Sequence, residues 1–231
     1  MDLYYSTKIE GESIFLDEEE FRHLKVVRKN IGEEILITDG KGRLSHAKIL
    51  DFGKNNCELQ LTKTEKVEKA GPFLHLAISP TKNLDRMEWL VEKCVESGIE
   101  KISFMHCRHS VRKEIKIERL NRIAISAMKQ SQKLFLPEIN EMISFDQLLL
   151  NVVEEEKYIC SMDAGSQNYI KNHLKKLDTL ILIGPEGDFH PDELIAAKDS
   201  GFTTLSLGPE RLRTETAALA ACISFNFIKH G

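Results

Sequence analysis

The stretch LILIGPEGDF, from Leu180 to Phe189, carries the strongest indication of the fold. Four apolar residues lead directly into a turn that contains two glycines, a proline and two acids. A short apolar run that stops at Gly-Pro is typical of a buried strand that ends in a tight turn. Glycine in such a turn allows positive φ and lets the backbone approach a ligand closely. The turn is therefore either a plain connection or one wall of a binding site, and it matches neither the GxGxxG pattern nor the phosphate-binding P-loop.

From Phe73 onwards, short apolar runs alternate with helical patterns. A helix is predicted after residue 83, because apolar residues recur every three or four positions and Gly98 stands where a C-cap glycine belongs. A later helix has Pro191 in its first turn and is closed by Gly201. The expected strands cover 73–79, 101–107, 157–163, 179–184 and 203–208. This alternation predicts an α/β fold with a mostly parallel sheet, in which ligands bind beyond the carboxyl ends of the strands.

The first 70 residues have a different, β-rich pattern. A short helix is expected at 17–28, with Asp17 as its N-cap and acids in its first turn. Turn signals separate three predicted strands, which would form a small barrel or a curled sheet. These strands lie within 33–40, 43–53 and 56–65. The charged stretch KVEKAGP, at 66–72, is the expected linker between a domain at 1–70 and a domain at 73–231.

The composition is that of an ordinary soluble globular protein, with 42% hydrophobic and 29% charged residues in a chain of 231. No run approaches the roughly 20 apolar residues of a membrane helix, and the polar N-terminus lacks a signal-peptide core. A cytoplasmic location without a membrane partner is therefore expected. Five scattered cysteines without a CxxC motif favour reduced thiols. HCRH, at 106–109, is interpreted as a strand end and loop rather than a metal site, since no second ligand cluster accompanies it.

The net charge of −4 argues by itself against nucleic-acid binding, but the distribution of charge argues the other way. The segment 101–135 contains nine Lys or Arg residues and only two acids. Such a segment either holds a polyanion while the rest of the chain keeps the protein soluble, or forms the solvated face of a helix.

Two further loops end predicted strands. LGPERLRTETAALAA, at 207–221, contains two arginines, a threonine expected to cap the next helix, and an acid in that helix's first turn. These residues are Arg211, Arg213, Thr214 and Glu215. The alanines that follow either let another backbone pass close by or simply favour the helix. CSMDAGSQN, at 160–168, only weakly resembles the glycine loop of Rossmann-like methyltransferases.

Taken together, these motifs resemble the RsmE family of 16S rRNA uracil-N3 methyltransferases, members of the SPOUT superfamily. Besides the two loops already quoted, similar segments are HLKVVRKNIGEEILITDGKG, KNLDRMEWLVEKCVESGIEKI and AMKQSQKLFLPEI, so the resemblance covers nearly the whole chain. Asp188 departs from the family, which usually has a second glycine there, and we expect it to avoid positive φ. Lys129 and Lys133 replace a usual Glu and Arg, and their charge suits RNA.

The resemblance implies a PUA-like β-barrel domain at 1–70 that binds RNA, and a SPOUT methyltransferase domain at 73–231 with a C-terminal trefoil knot. The helix after Thr214 would be the knotted segment. S-adenosylmethionine would lie bent in the knot without any metal, and the family works as a homodimer with its active site at the subunit interface. The implied cofactor-binding residues are Ile183, Gly184, Pro185, Glu186, Gly187, Leu207, Gly208, Leu212, Arg213 and Thr214.

The implied reaction is methylation of N3 of a specific uridine in the decoding region of 16S rRNA, in the small ribosomal subunit, forming 3-methyluridine. Uracil N3 carries a proton, so the site must remove that proton or stabilise the uracil anion. Arg213 is the first candidate for the active centre, because its charge can bind a uracil oxygen or a phosphate. Glu186 is a candidate base or orients loop amides, and Glu215 is a candidate base or supports a helix N-terminus.

The residues expected to contact RNA are Arg22, Lys25, Arg28, Lys29, Arg108, Arg112, Arg119, Arg122, Lys129, Gln130, Ser131 and Lys133. Gln130 and Ser131 would either touch the target base or close a helix end. Two other functions stay open at this point. One is a different SPOUT methyltransferase, which would modify a 2′-O-ribose or N1 of guanine. The other is a ribosome-assembly factor that binds RNA without catalysis.

Overall fold

The computed structural model describes residues 2–10, 13–16, 18–54 and 56–231. The chain divides into two compact units. The first contains Met1–Ala70 together with Ile125–Leu136, and the second contains Gly71–Ala124 and Pro137–Gly231. The segment Ile125–Leu136 thus clusters with the first unit, whereas the sequence boundaries assign it to the second domain.

The first unit is a six-stranded sheet with one helix of its own. The helix and three long strands predicted from the sequence are confirmed, while Asp17, the expected N-cap, lies outside the described residues. The other three strands have three residues each, too few to show a period of two. The elements are β1 (Leu3–Tyr5), β2 (Lys8–Glu10), β3 (Ser13–Phe15), α1 (Glu18–Val26), β4 (Glu34–Thr38), β5 (Arg43–Phe52) and β6 (Cys57–Lys66). The strand order is β1-β4-β5-β6-β3-β2.

Backbone hydrogen bonds and an ion pair are among the contacts that hold the segment Ile125–Leu136 within the first unit. The amide of Gly42 donates to the carbonyl of Leu134 at 2.9 Å, and the amide of Leu136 donates to the carbonyl of Gly40 at 2.9 Å. The Lys129 ammonium pairs with the Glu20 carboxylate, and their side chains are only 13% and 3% exposed. A buried ion pair of this kind tolerates the loss of neither partner, because the remaining charge would be left without compensation.

The second unit is a six-stranded parallel sheet with the order β12-β10-β11-β7-β8-β9. The five strands predicted for this unit are confirmed, although β10 and β12 are shorter than expected. The sixth, β9, is an edge strand with mixed burial and lacks a continuous apolar run, which explains why the sequence pattern misses it. The strands are β7 (Leu74–Ile78), β8 (Lys101–His106), β9 (Glu138–Ser144), β10 (Glu156–Cys160), β11 (Thr179–Ile183) and β12 (Thr203–Leu205).

In the described part of the chain, five α-helices follow α1: α2 (Leu84–Ser97), α3 (Ile117–Gln130), α4 (Phe145–Leu150), α5 (Pro191–Asp199) and α6 (Thr214–His230). Three short 3-10 helices lie between β10 and β11, at Met162–Ala164, Ser166–Asn168 and Ile170–Asn172. The Asn83 side chain caps α2, and Gly98 closes it with φ of +96°, as predicted. Pro191 opens α5, also as predicted. None of the helices in the described part of the chain combines the length and the apolar character needed to cross a membrane.

The start of α6 differs from the expectation. Thr214 is the first helical residue rather than the N-cap, and Arg213 occupies the cap position without a side-chain hydrogen bond. The reason is that the Thr214 hydroxyl donates to the carbonyl of Gly184 at 3.2 Å and is therefore engaged with the end of β11. Further along, the small side chains of Ala218 and Ala221 are fully buried where α6 packs against α2, β7 and β11. Of the two interpretations of these alanines, the structure thus supports close packing of α6 against neighbouring elements.

A buried polar network joins three strands of the second unit. His75 on β7 contacts the Glu154 carboxylate through Nδ1 at 2.7 Å and the Ser103 hydroxyl through Nε2 at 2.8 Å. Asn140 on β9 donates to the same hydroxyl at 3.1 Å. Burial would raise the pKa of Glu154, but its hydrogen bond with His75, the charge of His75 and nearby backbone amides together lower that pKa to about 2.

This depressed pKa gives the fold a specific dependence on pH. A carboxylate whose folded pKa lies below its unfolded value stabilises the protein above the unfolded pKa, and loses that contribution as the pH falls toward the folded one. Glu154→Gln should therefore be much less stable than the wild type near neutral pH. Because the pKa falls from 4.5 to about 2, the difference in unfolding free energy should shrink by about 3 kcal/mol between pH 5 and pH 2.

Urea unfolding at a series of pH values measures this difference. Glu155→Gln is the matched control, since Glu155 is the exposed neighbour of Glu154. A gap between the wild type and Glu154→Gln that stays constant from pH 5 to pH 2 would contradict the assignment.

Candidate active site

A cavity of about 430 Å³ lies at the carboxyl end of the parallel sheet of the second unit. Its walls come from the loops that follow β10, β11 and β12, with Arg86 of α2 beside them. These are the three loops that the sequence singles out. β10 pairs in parallel with both β11 and β12, and Cys160 stands opposite both Ile183 and Leu205. The three strands therefore end at the same level, and their loops meet.

Most residues expected to bind a cofactor line this cavity. They are Ile183, Gly184, Pro185, Glu186, Leu207, Gly208, Leu212, Arg213 and Thr214. Gly187 alone among the expected residues does not line it. The sequence-based selection leaves out Arg86, Cys160, Ser161, Met162, Asp188, Ser206, Glu210, Arg211 and Ala217. Most of these belong to the same three loops, so extending the selection along each loop would have found them.

The turn after β11 owes its shape to Asp188 rather than to its glycines. Asp188 has φ of +62°, contrary to the expectation that it avoids positive φ, whereas Gly184 and Gly187 do not use this region. Aspartate is one of the few residues that tolerate the left-handed region, because its short side chain bonds the local backbone. Here the amide of Phe189 donates to Asp188 Oδ1 at 2.8 Å. The turn is closed by the amide of Asp188, which donates to the carbonyl of Pro185 at 3.0 Å.

Gly184 is required for space. A Cβ atom at this position would lie 2.9 Å from the ring of Phe189, which is buried in the core of the unit. A Cβ atom at Gly187 would make only an ordinary contact, 3.6 Å from His109. Position 184 thus has no space for a side chain, whereas position 187 does.

Arg86 joins the two acids that the sequence proposes as bases. Its guanidinium lies 3.6 Å from Glu186 and 3.6 Å from Glu215. The Glu215 side chain is only 8% exposed, and its Oε2 atom is buried without a hydrogen-bond partner among the described residues. Glu186 lines the cavity and Glu215 does not. Glu215 is therefore buried outside the cavity lining, and the positive charge of Arg86 offsets its negative charge.

The position of Arg86 in the sequence of its helix already indicates a partner outside that helix. A positive charge in the first turn of a helix is unfavourable, because it opposes the positive end of the helix dipole. Arg86 occupies that turn in α2. An unfavourable placement of this kind indicates a partner elsewhere, which the two carboxylates supply.

Arg213 lines the cavity and is an exposed residue. Within the described ranges it makes no ion pair within 4 Å, in contrast to Arg86. Its charge is thus available to a ligand.

The HCRH segment packs against the start of α5 and holds no metal-ligand cluster. Arg108 pairs with Asp192, and Nδ1 of His109 lies 3.0 Å from the carbonyl oxygen of Asp188. No three His, Cys, Asp or Glu side chains in the described part of the chain are grouped so that they could hold a metal ion. All five cysteines are free thiols.

The residues expected to contact RNA fall in both units. The first unit contains Arg22, Lys25, Arg28, Lys29, Lys129, Gln130, Ser131 and Lys133, and the second contains Arg108, Arg112, Arg119 and Arg122. Several of these charges already have partners: Lys29 pairs with Asp2 and Glu33, and Arg119 pairs with Glu88. Lys129 is nearly buried against Glu20, so it contributes little free charge. The Ser131 hydroxyl donates to the carbonyl of Ala127 at 2.7 Å, consistent with closing a helix end.

Comparison with known proteins adds to this geometry. The family model of the RNA methyltransferase domain matches residues 69–226, and that of the RNA methyltransferase PUA domain matches residues 16–62. The ribosomal RNA small subunit methyltransferase E of Rickettsia conorii is 31% identical over 204 residues, which cover 85% of this chain and 81% of that protein. The chain belongs to the ribosomal RNA small subunit methyltransferase E family. Its fold is accordingly an α/β methyltransferase fold with a parallel sheet, accompanied by a PUA domain.

Solved structures of similar proteins agree with this membership of the methyltransferase E family. A probable rRNA-methyltransferase from Porphyromonas gingivalis has 37% identity and a TM-score of 0.91, covering 99% of this chain and 98% of that one. The ribosomal RNA small subunit methyltransferase E of Neisseria gonorrhoeae, bound to S-adenosyl methionine, has 27% identity and a TM-score of 0.86. That alignment covers 96% of this chain and 95% of the Neisseria chain.

The glycines of the β11 turn give a matched test of the site geometry in this family member. Gly184→Ala should destabilise the protein by about 1–3 kcal/mol, because the added methyl group overpacks the buried Phe189 ring. Gly187→Ala should change stability by no more than about 0.5 kcal/mol, as is usual for a surface substitution. Thermal or urea unfolding measures both variants. Equal stabilities for the two variants would show that the close approach of Phe189 to Gly184 is not a constraint.

Proposed function

We propose that this chain uses S-adenosylmethionine to methylate N3 of a uridine in the decoding region of 16S rRNA, forming 3-methyluridine. The observation that carries the proposal is the cavity formed by three strand-end loops, in a chain whose family relative from Neisseria gonorrhoeae is bound to S-adenosyl methionine. The family name of the curated relatives supplies the small-subunit rRNA as the substrate. A cytoplasmic location follows from that substrate.

The residues of the cavity fit such a cofactor. A volume of about 430 Å³ lies within the roughly 300–1,000 Å³ range of small-molecule and cofactor sites. Ile183, Leu207, Leu212 and Ala217 provide apolar wall, and the turn at 184–188 offers backbone groups beside it. Three acidic and three basic side chains also line the cavity, which suits a ligand that is part aromatic base and part amino acid. No metal takes part in this proposal.

We further propose that the loops at 184–188 and 206–213 belong to a C-terminal trefoil knot. Two sets of contacts support this. The Thr214 hydroxyl at the start of α6 binds the carbonyl of Gly184, and Ser206 exchanges backbone hydrogen bonds with Asn168 and Ile170. The start of α6 and the loop after β12 are thus tied to two other loops, as they would be in a knotted arrangement.

The chemistry assigned to the chain is alignment and charge stabilisation. The bound cofactor supplies an electrophilic methyl group on a positively charged sulfur. Arg213 would stabilise negative charge on a uracil oxygen as N3 loses its proton, and it cannot itself accept that proton. Glu186 faces the cavity and is the candidate to receive the proton. Glu215 holds Arg86, and through it Glu186, in position.

Replacement of Arg213 separates catalysis from cofactor binding. Arg213→Ala should lower the rate of methyl transfer to 16S rRNA at least about 100-fold, the usual effect of removing one charge-stabilising donor. Affinity for S-adenosylmethionine should fall far less than the rate, because many other residues also line the cavity. Methyl transfer from labelled cofactor and calorimetric binding measure the two quantities. Arg213→Lys is the matched variant, since it keeps the charge but loses the planar fork.

Transfer by Arg213→Ala at the wild-type rate would remove Arg213 from the mechanism. Absence of any cofactor binding or transfer by the wild type itself would contradict the proposed function as a whole.

Bulky substitution at Gly184 should abolish cofactor binding, since the turn at 184–188 forms one wall of the cavity.

We propose that exposed basic side chains on both units contact the rRNA backbone. Arg122 is one candidate, because it is exposed and, as far as the structure describes the chain, makes no ion pair within 4 Å. A phosphate contact releases counterions, so the affinity falls as salt rises. An extruded uridine would expose N3, which base pairing otherwise engages.

Arg122→Ala should weaken rRNA binding and reduce the slope of log K against log salt by roughly 1, the contribution of one phosphate contact. Filter binding at several salt concentrations measures the slope. Lys198→Ala, an exposed lysine of α5 outside the expected set, is the control. An unchanged slope for Arg122→Ala would show that this side chain does not contact phosphate.

We propose that the chain is a homodimer. Supporting this is the outer face of α6, where Ile223 and Phe227 are 38% and 75% exposed and border a second cavity of about 450 Å³. Exposed apolar surface of this kind marks interaction sites. Equilibrium sedimentation tests the proposal, and a mass of 26.4 kDa, that of one chain, would contradict it.

A further inference from the structure

Asp188, the residue with positive φ in the turn after β11, lies in the wall of the cavity. Its carboxylate reaches from the turn after β11 toward the loop after β10. The Ser161 hydroxyl on that loop donates to Asp188 Oδ2 at 3.3 Å. Because Ser161 also lines the cavity, the carboxylate lies between two of its walls.

The local hydrogen bonds leave part of the carboxylate's capacity unused. An ionised carboxylate offers about four acceptor positions. The structure gives Oδ1 the amide of Phe189 and Oδ2 the hydroxyl of Ser161, and the Ser161 contact is long. Acceptor positions therefore remain for a ligand that enters the cavity.

Asp188 also differs from the neighbouring acids in charge compensation. Arg86 lies 3.6 Å from both Glu186 and Glu215, which offsets their charges. Across the residues that the structure describes, no Lys, Arg or His side chain pairs with Asp188 within 4 Å. His109 contacts only the backbone carbonyl of Asp188. The cavity thus contains a carboxylate for which the described residues provide no cationic partner.

The neighbouring thiol responds to this charge. Burial, and secondly the negative charge of Asp188, raise the pKa of Cys160 to about 12. Cys160 therefore stays neutral near pH 7 and adds no second negative charge beside Asp188.

We propose that the Asp188 carboxylate binds a positively charged group of the cofactor and so contributes directly to cofactor affinity. This inference rests on the proposed function, since it takes S-adenosylmethionine as the ligand. The shared chemistry is a cation next to a carboxylate, and the cofactor carries two such groups, its sulfonium and its α-ammonium. If Asp188 faces the sulfonium, it also discriminates the cofactor from S-adenosylhomocysteine, whose sulfur is neutral after methyl transfer.

Two substitutions isolate the charge from the shape of the turn. Asp188→Asn keeps a side chain that tolerates positive φ and can still accept from the Phe189 amide. Asp188→Gly removes the side chain and keeps the positive φ without backbone strain. Asp192→Asn is the matched control, because Asp192 is exposed, pairs with Arg108 and does not line the cavity.

Calorimetric titration with three ligands gives the readout, and no activity is needed. S-adenosylmethionine carries both cations, S-adenosylhomocysteine only the α-ammonium, and 5′-methylthioadenosine neither. Loss of a charge-assisted contact should weaken S-adenosylmethionine binding by about 10-fold or more in both Asp188 variants. Binding of 5′-methylthioadenosine should not change, and Asp192→Asn should bind all three ligands as the wild type does.

The remaining ligand identifies the group involved. Unchanged affinity for S-adenosylhomocysteine would assign the contact to the sulfonium, and an equal loss would assign it to the α-ammonium; both support the inference. S-adenosylmethionine affinities within twofold of the wild type in both variants would overturn it and leave the proposed function standing. An equal loss of affinity for 5′-methylthioadenosine would also overturn the inference, because it would indicate that the substitutions alter the shape of the cavity. A wild type that binds none of the ligands would overturn both.

Discussion

The parallel pairing of β10 with β11 on one side and β12 on the other is the constraint on which the rest of the second unit depends. Because Cys160 stands opposite both Ile183 and Leu205, three strands end at one level and three loops converge. The hydrogen bond from Thr214 to the Gly184 carbonyl then fixes the start of α6 against the middle loop. Without this register the residues of the cavity would lie on separate surfaces of the sheet.

Charge is distributed unevenly in the cavity that results. Arg86 pairs with Glu186, which lines the cavity, and with Glu215, which does not. Arg213 and Asp188 also line the cavity, and neither forms an ion pair with a described side chain. An exposed cation in the lining suits negative charge on a substrate oxygen or an RNA phosphate, and a carboxylate without a cationic partner suits a cationic ligand. We propose that this arrangement serves methyl transfer from a sulfonium to a deprotonated uracil nitrogen.

Features that depend on the local order of apolar and polar residues can be predicted from the sequence, and long-range contacts cannot. LILIG is recognisable as a strand because both faces of β11 are buried, so the apolar run is continuous. β9 escapes prediction because it lies at the sheet edge, and the pairing of Arg86 with Glu186 and Glu215 escapes because its partners lie about 100 or more residues away in the chain. The expectation for Asp188 was wrong for a local reason: its own carboxylate stabilises the positive φ.

The central claim is that this cavity directs methyl transfer to N3 of a uridine in the decoding region of 16S rRNA. The most direct measurement is nucleoside mass spectrometry after incubation of the protein with S-adenosylmethionine and either assembled small subunits or naked 16S rRNA. The account predicts 3-methyluridine at a single position of the decoding region on at least one of these substrates. A 2′-O-methylated nucleoside, 1-methylguanosine, or no methylated product on either substrate would contradict it.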